Sequence, residues 1–194
     1  MTKSIDFYFD AISPYSYLAH QKIKVVKQNK KIIFNYKPIF LGGLHNLQEI
    51  IAPAFIEPKL KHMVRDCILI AAKNNFEFLW NSKFPLNSLD IMRGYLFVNI
   101  DIRDFYLDKI FDAYWKDNLD ISNEEILKTL IKKCKIDPNI FLDGIKSIDI
   151  KDKLLIITKE AHKKEVFGTP TFIVNNKIFW GQDRLEYALD EYNK

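Results

Sequence analysis

Two rhythms of apolar and polar positions divide this chain. Residues 4–10 follow the two-residue alternation of a strand, carried by Ile5-Asp6-Phe7-Tyr8-Phe9. Tyr15, Ala19, Ile23 and Val26 then recur at helical spacing and predict a helix over 14–29. A second strand is expected over 31–38, and a β-α-β opening of this kind favours a right-handed crossover and a parallel pair. From about 45 to 166 the pattern is nearly all helical. Met63, Cys67, Ile70 and Ala71 make one stripe, and Leu107, Ile110, Phe111 and Tyr114 make another. Ser122 with Glu125 reads as a capping box ahead of Ile126, Leu127, Leu130, Ile131 and Cys134. Asp137-Pro138 reads as an N-cap with proline at the first helical position, and a last long helix covers 149–165. Strand character returns at Thr171–Val174 and Lys177–Trp180, joined by Asn175-Asn176, a two-residue turn in which asparagine tolerates positive φ. A final helix starts near Gln182 or Asp183 and carries Leu185, Ala188, Leu189 and Tyr192.

Composition narrows the functional classes. The 194 residues are 48% hydrophobic and 28% charged, enough for a substantial core. No stretch is both long and apolar enough to cross a bilayer, so no membrane partner is expected. Met1-Thr2-Lys3-Ser4 runs into the first strand without an apolar leader, which points to a cytoplasmic protein. A net charge of +4 suits anionic ligands and argues for no nucleic-acid partner. Cys67 and Cys134 lie far apart with no metal-ligand spacing around them, and read as reduced core residues in a reducing compartment. No metal-ligand cluster, glycine-rich phosphate loop or Ser/His/Asp set is present.

Ser13-Pro14-Tyr15-Ser16 stands at the corner between the first strand and the first helix. In a thioredoxin-type redox enzyme this corner would carry Cys-x-x-Cys; here serines stand at both ends. The order β-α-β, helices, β-β-α therefore predicts an α/β, thioredoxin-like fold without its thiols. Residues 1–44 and 166–194 would form the thioredoxin-like domain, and 45–165 a large all-helical insertion. Ser13 is an ordinary N-cap, with Pro14 next. The same geometry also suits a second role. A helix N-terminus presents unpaired N–H groups and the positive end of the macrodipole, a place to hold a bound thiolate, to which a serine can donate a hydrogen bond.

Gly168-Thr169-Pro170-Thr171-Phe172 brings proline to the start of a strand, where a missing N–H costs little. In a thioredoxin-type fold a cis proline at 170 would instead offer the N–H and C=O of Thr169 to an extended peptide ligand. Asp183 can cap the last helix, with Glu186 three residues on. Alternatively it can take a ligand's ammonium while the helix N-terminus holds the neighbouring carboxylate, the two charges of an α-amino acid head group. Lys59, Lys61 and His62 are candidate cations or a solvated helix face. Asn87 and Ser88 look like another helix start, Tyr15 and Trp180 are core or pocket wall, and His20, His45 and His162 have no partner legible in the sequence.

These residues carry a resemblance. Ile5–Asp10 and Ser13–Ala19, with Val166–Phe172 and Phe179–Leu185, closely resemble 2-hydroxychromene-2-carboxylate isomerases, relatives of kappa-class glutathione transferases and, more distantly, of DsbA-type oxidoreductases. The likeness is strong at both ends and looser through Phe84–Ser88 and Met92-Arg93. It implies a glutathione-dependent isomerase, usually dimeric. Ser13 would be its catalytic residue and contact the glutathione sulfur. Thr169, beside Pro170, would pair with the tripeptide backbone, and Trp180, Gly181, Gln182 and Asp183, with Arg184 beside them, would bind the γ-glutamyl end. The implied reaction adds the thiolate to a conjugated carbonyl, allows bond rotation and re-closure, and regenerates glutathione. The other substrate would be a small electrophilic aromatic carboxylate, with Tyr15, Lys59 and Asn87 as its candidate contacts. Many relatives carry an Asn-x-Pro-Pro-like segment before the second helix; Leu47–Ala54 departs from it. Three functions follow: this isomerase, a kappa-class-like glutathione transferase or peroxidase, or a thioredoxin-fold binding module without chemistry. A dithiol oxidoreductase is disfavoured because neither cysteine neighbours Ser13 in sequence.

Overall fold

The computed structural model describes residues 3–194. Met1 and Thr2, which the sequence places ahead of the first strand, lie outside the described residues. Strand β1 (Ile5–Phe9) leads through a short corner into helix α1 (Pro14–Asn29), and β2 (Phe34–Pro38) returns beside β1. Helices α2 (Leu41–Leu47), α3 (Glu57–Asn74), α4 (Leu89–Phe97), α5 (Arg103–Trp115), α6 (Glu124–Lys133), α7 (Pro138–Gly144) and α8 (Ile148–Lys163) follow. Strands β3 (Thr171–Val174) and β4 (Lys177–Trp180) and helix α9 (Leu185–Tyr192) close the chain. The result is the expected α/β, thioredoxin-like order with helices between its two halves.

The sheet runs β2-β1-β3-β4. β1 pairs parallel with β2 from Ile5 opposite Phe34 to Phe9 opposite Pro38, and antiparallel with β3, Phe7 opposite Phe172. The parallel pair follows from the α1 crossover. β3 and β4 form the expected hairpin, with Asn175 and Asn176 at φ 49° and 61°. Two positive φ values in a row give the turn the twist that flanking strands need. Asn176→Val should therefore destabilise the fold by about 1–2 kcal/mol, because a β-branched side chain resists this region; urea unfolding checks it.

The second strand begins at Phe34 rather than 31, because the Ile32 N–H turns back to the Lys30 carbonyl. The expected capping box at Ser122 is corrected. Asn123 is the N-cap of α6, its side chain accepting from the N–H groups of Glu125 and Ile126, while the Ser122 hydroxyl donates to Asp120. Asparagine caps as well as serine, and it stands one residue closer to the apolar stripe. The middle is also less helical than its periodicity implies. Residues 76–88 cross it without regular structure, anchored by the Leu79 N–H on the Trp115 carbonyl at 2.7 Å.

One apolar core runs through both parts of the chain. It joins Phe7 and Phe9 of β1, Phe172 of β3 and Leu18 of α1 to Phe111, Trp115, Leu127 and Phe141 of the helical segment. This shared core holds the β1–α1 corner against the helices and so sets the geometry of the site. Cys67 and Cys134 are both free and buried. Among the described residues no helix is long and apolar enough to cross a membrane.

Candidate functional site

Ser13 is the N-cap of α1, with Pro14 after it and no acidic residue in the first turn. Its Oγ accepts from the Ser16 N–H at 3.2 Å and donates to the Thr169 carbonyl at 3.0 Å. The hydroxyl thus uses its single proton to bridge two segments 156 residues apart. The Thr169-Pro170 peptide is cis. The Pro170 carbonyl accepts from the Gly181 N–H at 2.9 Å, joining the start of β3 to the end of β4. The Thr169 hydroxyl is buried without a partner.

Ser13 and Thr169 stand on the wall of a cavity of about 950 Å³. Its other walls are the turn Ile12–Tyr15, the start of α2, the stretch 50–55, the first turns of α3, residues 84–87, and Phe167 and Gly168 with Trp180. The lining is largely apolar, with Leu41, Ile51, Phe55, Met63, Leu86 and Phe167 prominent; His45, Lys59, His62 and Asn87 add polar groups. Apolar walls of this kind lower the local dielectric and strengthen polar interactions beside them. Phe40 also lines a smaller apolar pocket of about 260 Å³ beside α8. The Phe40 ring rests on glycine backbone: a Cβ at Gly43 would fall 2.8 Å from it.

The structure brings together most of the residues singled out in the sequence. Ser13, Tyr15, Lys59, Asn87, Thr169 and Trp180 all line the cavity. The Tyr15 hydroxyl donates to Asp66 at 2.8 Å, and burial together with that carboxylate pushes its pKa far up. Asn87 accepts from the Leu89 N–H. Trp180 packs on Phe167, ring centroids 4.9 Å apart, with its indole nitrogen over Gly168. Pro170, Gly181, Gln182, Asp183 and Arg184 lie outside the cavity lining. The side-chain oxygen of buried Gln182 accepts from Lys22 at 2.5 Å, and Asp183 pairs with Arg184 at 3.3 Å. Asp183 is not the N-cap of α9: a 3-10 turn over Gln182–Arg184 precedes that helix, and Arg184 occupies the cap position without a side-chain bond.

Two histidines gain partners that no local pattern shows. His20 lies between the Tyr36 hydroxyl at 2.9 Å and Asp108 at 2.7 Å, and His162 meets Gln48 at 3.1 Å. His45 lines the cavity, and burial lowers its pKa. Cys67 is buried, and desolvation drives its thiol pKa well above the ordinary value, so it is a poor nucleophile.

The sequence reading missed Asp10. It ends the first apolar run and is fully buried. Its carboxylate accepts from the Ile12 N–H at 3.1 Å, the Leu41 N–H at 2.8 Å and the Ser88 hydroxyl at 2.9 Å. Desolvation outweighs these donors and pushes its pKa up to about 6. The signal available was an acid within an apolar run, three residues before the capping serine.

Over residues 4–193 the chain matches the family described as DSBA-like thioredoxin domain. It is 27% identical over 194 residues to 2-hydroxychromene-2-carboxylate isomerase of Sphingobium xenophagum, covering 99% of this chain and 98% of that protein. It is also 27% identical over 207 residues to glutathione S-transferase kappa 2 of Caenorhabditis elegans, covering 97% and 91%. Among solved structures, that of a 2-hydroxychromene-2-carboxylate isomerase superposes with a TM-score of 0.89 at 22% identity, covering 97% of this chain and 94% of the other.

Proposed function

The chain belongs to the family of DSBA-like thioredoxin domains, and we propose that within it the protein is a glutathione-dependent isomerase of the 2-hydroxychromene-2-carboxylate isomerase type. One observation carries this reading: a buried serine hydroxyl caps α1 on the wall of a large apolar cavity, where a dithiol enzyme would hold its nucleophilic cysteine. The donor set fits an anionic sulfur. The first turn of α1 has no acidic residue, so the positive end of its dipole is not neutralised by the helix itself. Bound glutathione would supply a thiolate that adds reversibly to a conjugated carbonyl and leaves after bond rotation.

The chain's own residues would then do the following. Ser13 turns its proton from the Thr169 carbonyl toward the sulfur, keeps accepting from the Ser16 N–H, and so holds the negative charge at the helix end. The backbone of Thr169, beside Pro170, pairs with the extended tripeptide. Asp183 takes the ammonium of the γ-glutamyl end, with Trp180, Gly181, Gln182 and Arg184 around it. In the cavity, Lys59 faces the carboxylate of an aromatic substrate, Tyr15 and Asn87 bound its ring, and the apolar walls keep water from the reacting carbon. We place the protein in the cytoplasm as a homodimer.

A kappa-class-like glutathione transferase or peroxidase is the second reading, supported by the Caenorhabditis elegans relative at the same 27% identity. The test is a glutathione titration of the purified protein followed by thiolate absorbance, then turnover of conjugated carbonyls and of a generic electrophile. Thiolate formation near neutral pH with substrate isomerised and glutathione recovered supports the isomerase. Conjugate accumulating as glutathione is consumed would move the assignment to the transferase, and no binding would leave a module without chemistry.

A further inference from the structure

We propose that Asp10 is a positioning residue: its buried carboxylate locks the Ser13 turn and two walls of the cavity into one arrangement. The inference rests on the reading of this cavity as the active site. Asp10 receives donors from three separate segments. The Ile12 N–H belongs to the turn that carries Ser13, and the Ser13 N–H itself bonds the Asp10 backbone carbonyl at 3.0 Å. The Leu41 N–H is the first of α2, whose N-cap, Phe40, has no side chain able to satisfy it. Ser88 occupies the N-cap of α4 but makes no cap bond; its hydroxyl donates to Asp10 instead.

A single negative charge therefore serves the N-terminal ends of two helices, where the macrodipole favours it. Those ends carry cavity wall: Phe40, Leu41 and Gly42 at α2, and residues 84–87 just before α4. Full burial among neutral donors makes this an expensive way to tie three loops together, which the raised pKa reflects. A carboxylate offers what a neutral residue of this size does not, two oxygens that accept three donors at once. An asparagine would set its NH₂ group against either the Leu41 or the Ile12 N–H.

The test compares wild type, Asp10→Asn and Ser88→Ala, with circular dichroism as the control for folding. Asp10→Asn should lower kcat with glutathione and a conjugated carbonyl by roughly tenfold or more, the size expected when a charge-assisted bond is lost. Ser88→Ala, which removes one donor and leaves the charge, should fall the same way by less. Amide exchange should quicken at Ile12 and Leu41 while Phe7 and Phe172 in the sheet keep their protection. Exchange needs neither glutathione nor turnover, so it reports on Asp10 even if the wild type proves not to bind glutathione. Unchanged exchange at Ile12 and Leu41, or protection lost equally across the sheet, would overturn the proposal. If Asp10→Asn does not fold, Ser88→Ala carries the same test through the same amides.

Discussion

Ser13→Ala is expected to abolish thiolate formation by bound glutathione near neutral pH while leaving a folded protein. The hydroxyl is the one side-chain donor at the α1 N-cap, and a hydrogen bond to a charged acceptor is worth about 1.5–3 kcal/mol. Losing it should raise the pKa of the bound thiol by roughly 1–2 units. Turnover should fall by about 10²–10³, the usual cost of removing one donor from a developing anion. Stability should drop by a smaller amount. An N-cap serine is worth about 1 kcal/mol, and the Thr169 carbonyl loses the hydroxyl it accepts from at 3.0 Å. Ser13→Thr, which keeps a capping hydroxyl, should recover part of the thiolate signal. The signal surviving intact in Ser13→Ala would leave Ser13 a structural cap. A Ser13→Ala protein that loses both thiolate and fold would be uninformative by itself, and Ser13→Thr then decides.

The parts of this site written in local sequence are legible without the fold. An N-cap at 13 followed by Pro14, a hairpin at 175–176 and a proline entering β3 are each short-range signals. They sit in the structure where their local chemistry puts them. The failures share another cause. Asp10 meets Leu41 and Ser88, 31 and 78 residues away, and His20 meets Asp108 across 88 residues. No window of the chain records such pairings. Helix α2 was hidden for a related reason. It is seven residues long, contains Gly42 and Gly43, and lacks its own cap, so its first N–H is satisfied by Asp10, just past β1, rather than from within. The ammonium role of Asp183 is legible as a charge at a helix start, whereas Gly181 and Gln182 enter through the resemblance; residues 181–184 follow Trp180 in sequence but lie outside the cavity lining.

Truncating Trp115, the largest fully buried side chain, should cost substantial stability, and it links that loss to the site. The indole is fully buried, with Phe78 stacked on it at 5.8 Å and Trp80, Phe84 and Tyr114 around it. Its Nε1–H donates to the Ala11 carbonyl at 2.9 Å, reaching from the end of α5 into the corner two residues before Ser13. Trp115→Ala removes the aromatic anchor of the 76–88 segment and leaves a cavity, a change that costs about 3–5 kcal/mol. Urea unfolding should show that shift in midpoint. Trp115→Phe separates packing from tethering, since it keeps a ring in place but leaves the buried Ala11 carbonyl without its donor, at about 1–3 kcal/mol. If the corner depends on this tether, Trp115→Phe should weaken thiolate formation by bound glutathione more than its modest stability loss predicts, because the turn that presents Ser13 is no longer held from behind. A Trp115→Phe protein with a full thiolate signal would make Trp115 a packing residue alone, and the hold on the corner would then pass to the hydrogen bonds that Asp10 accepts.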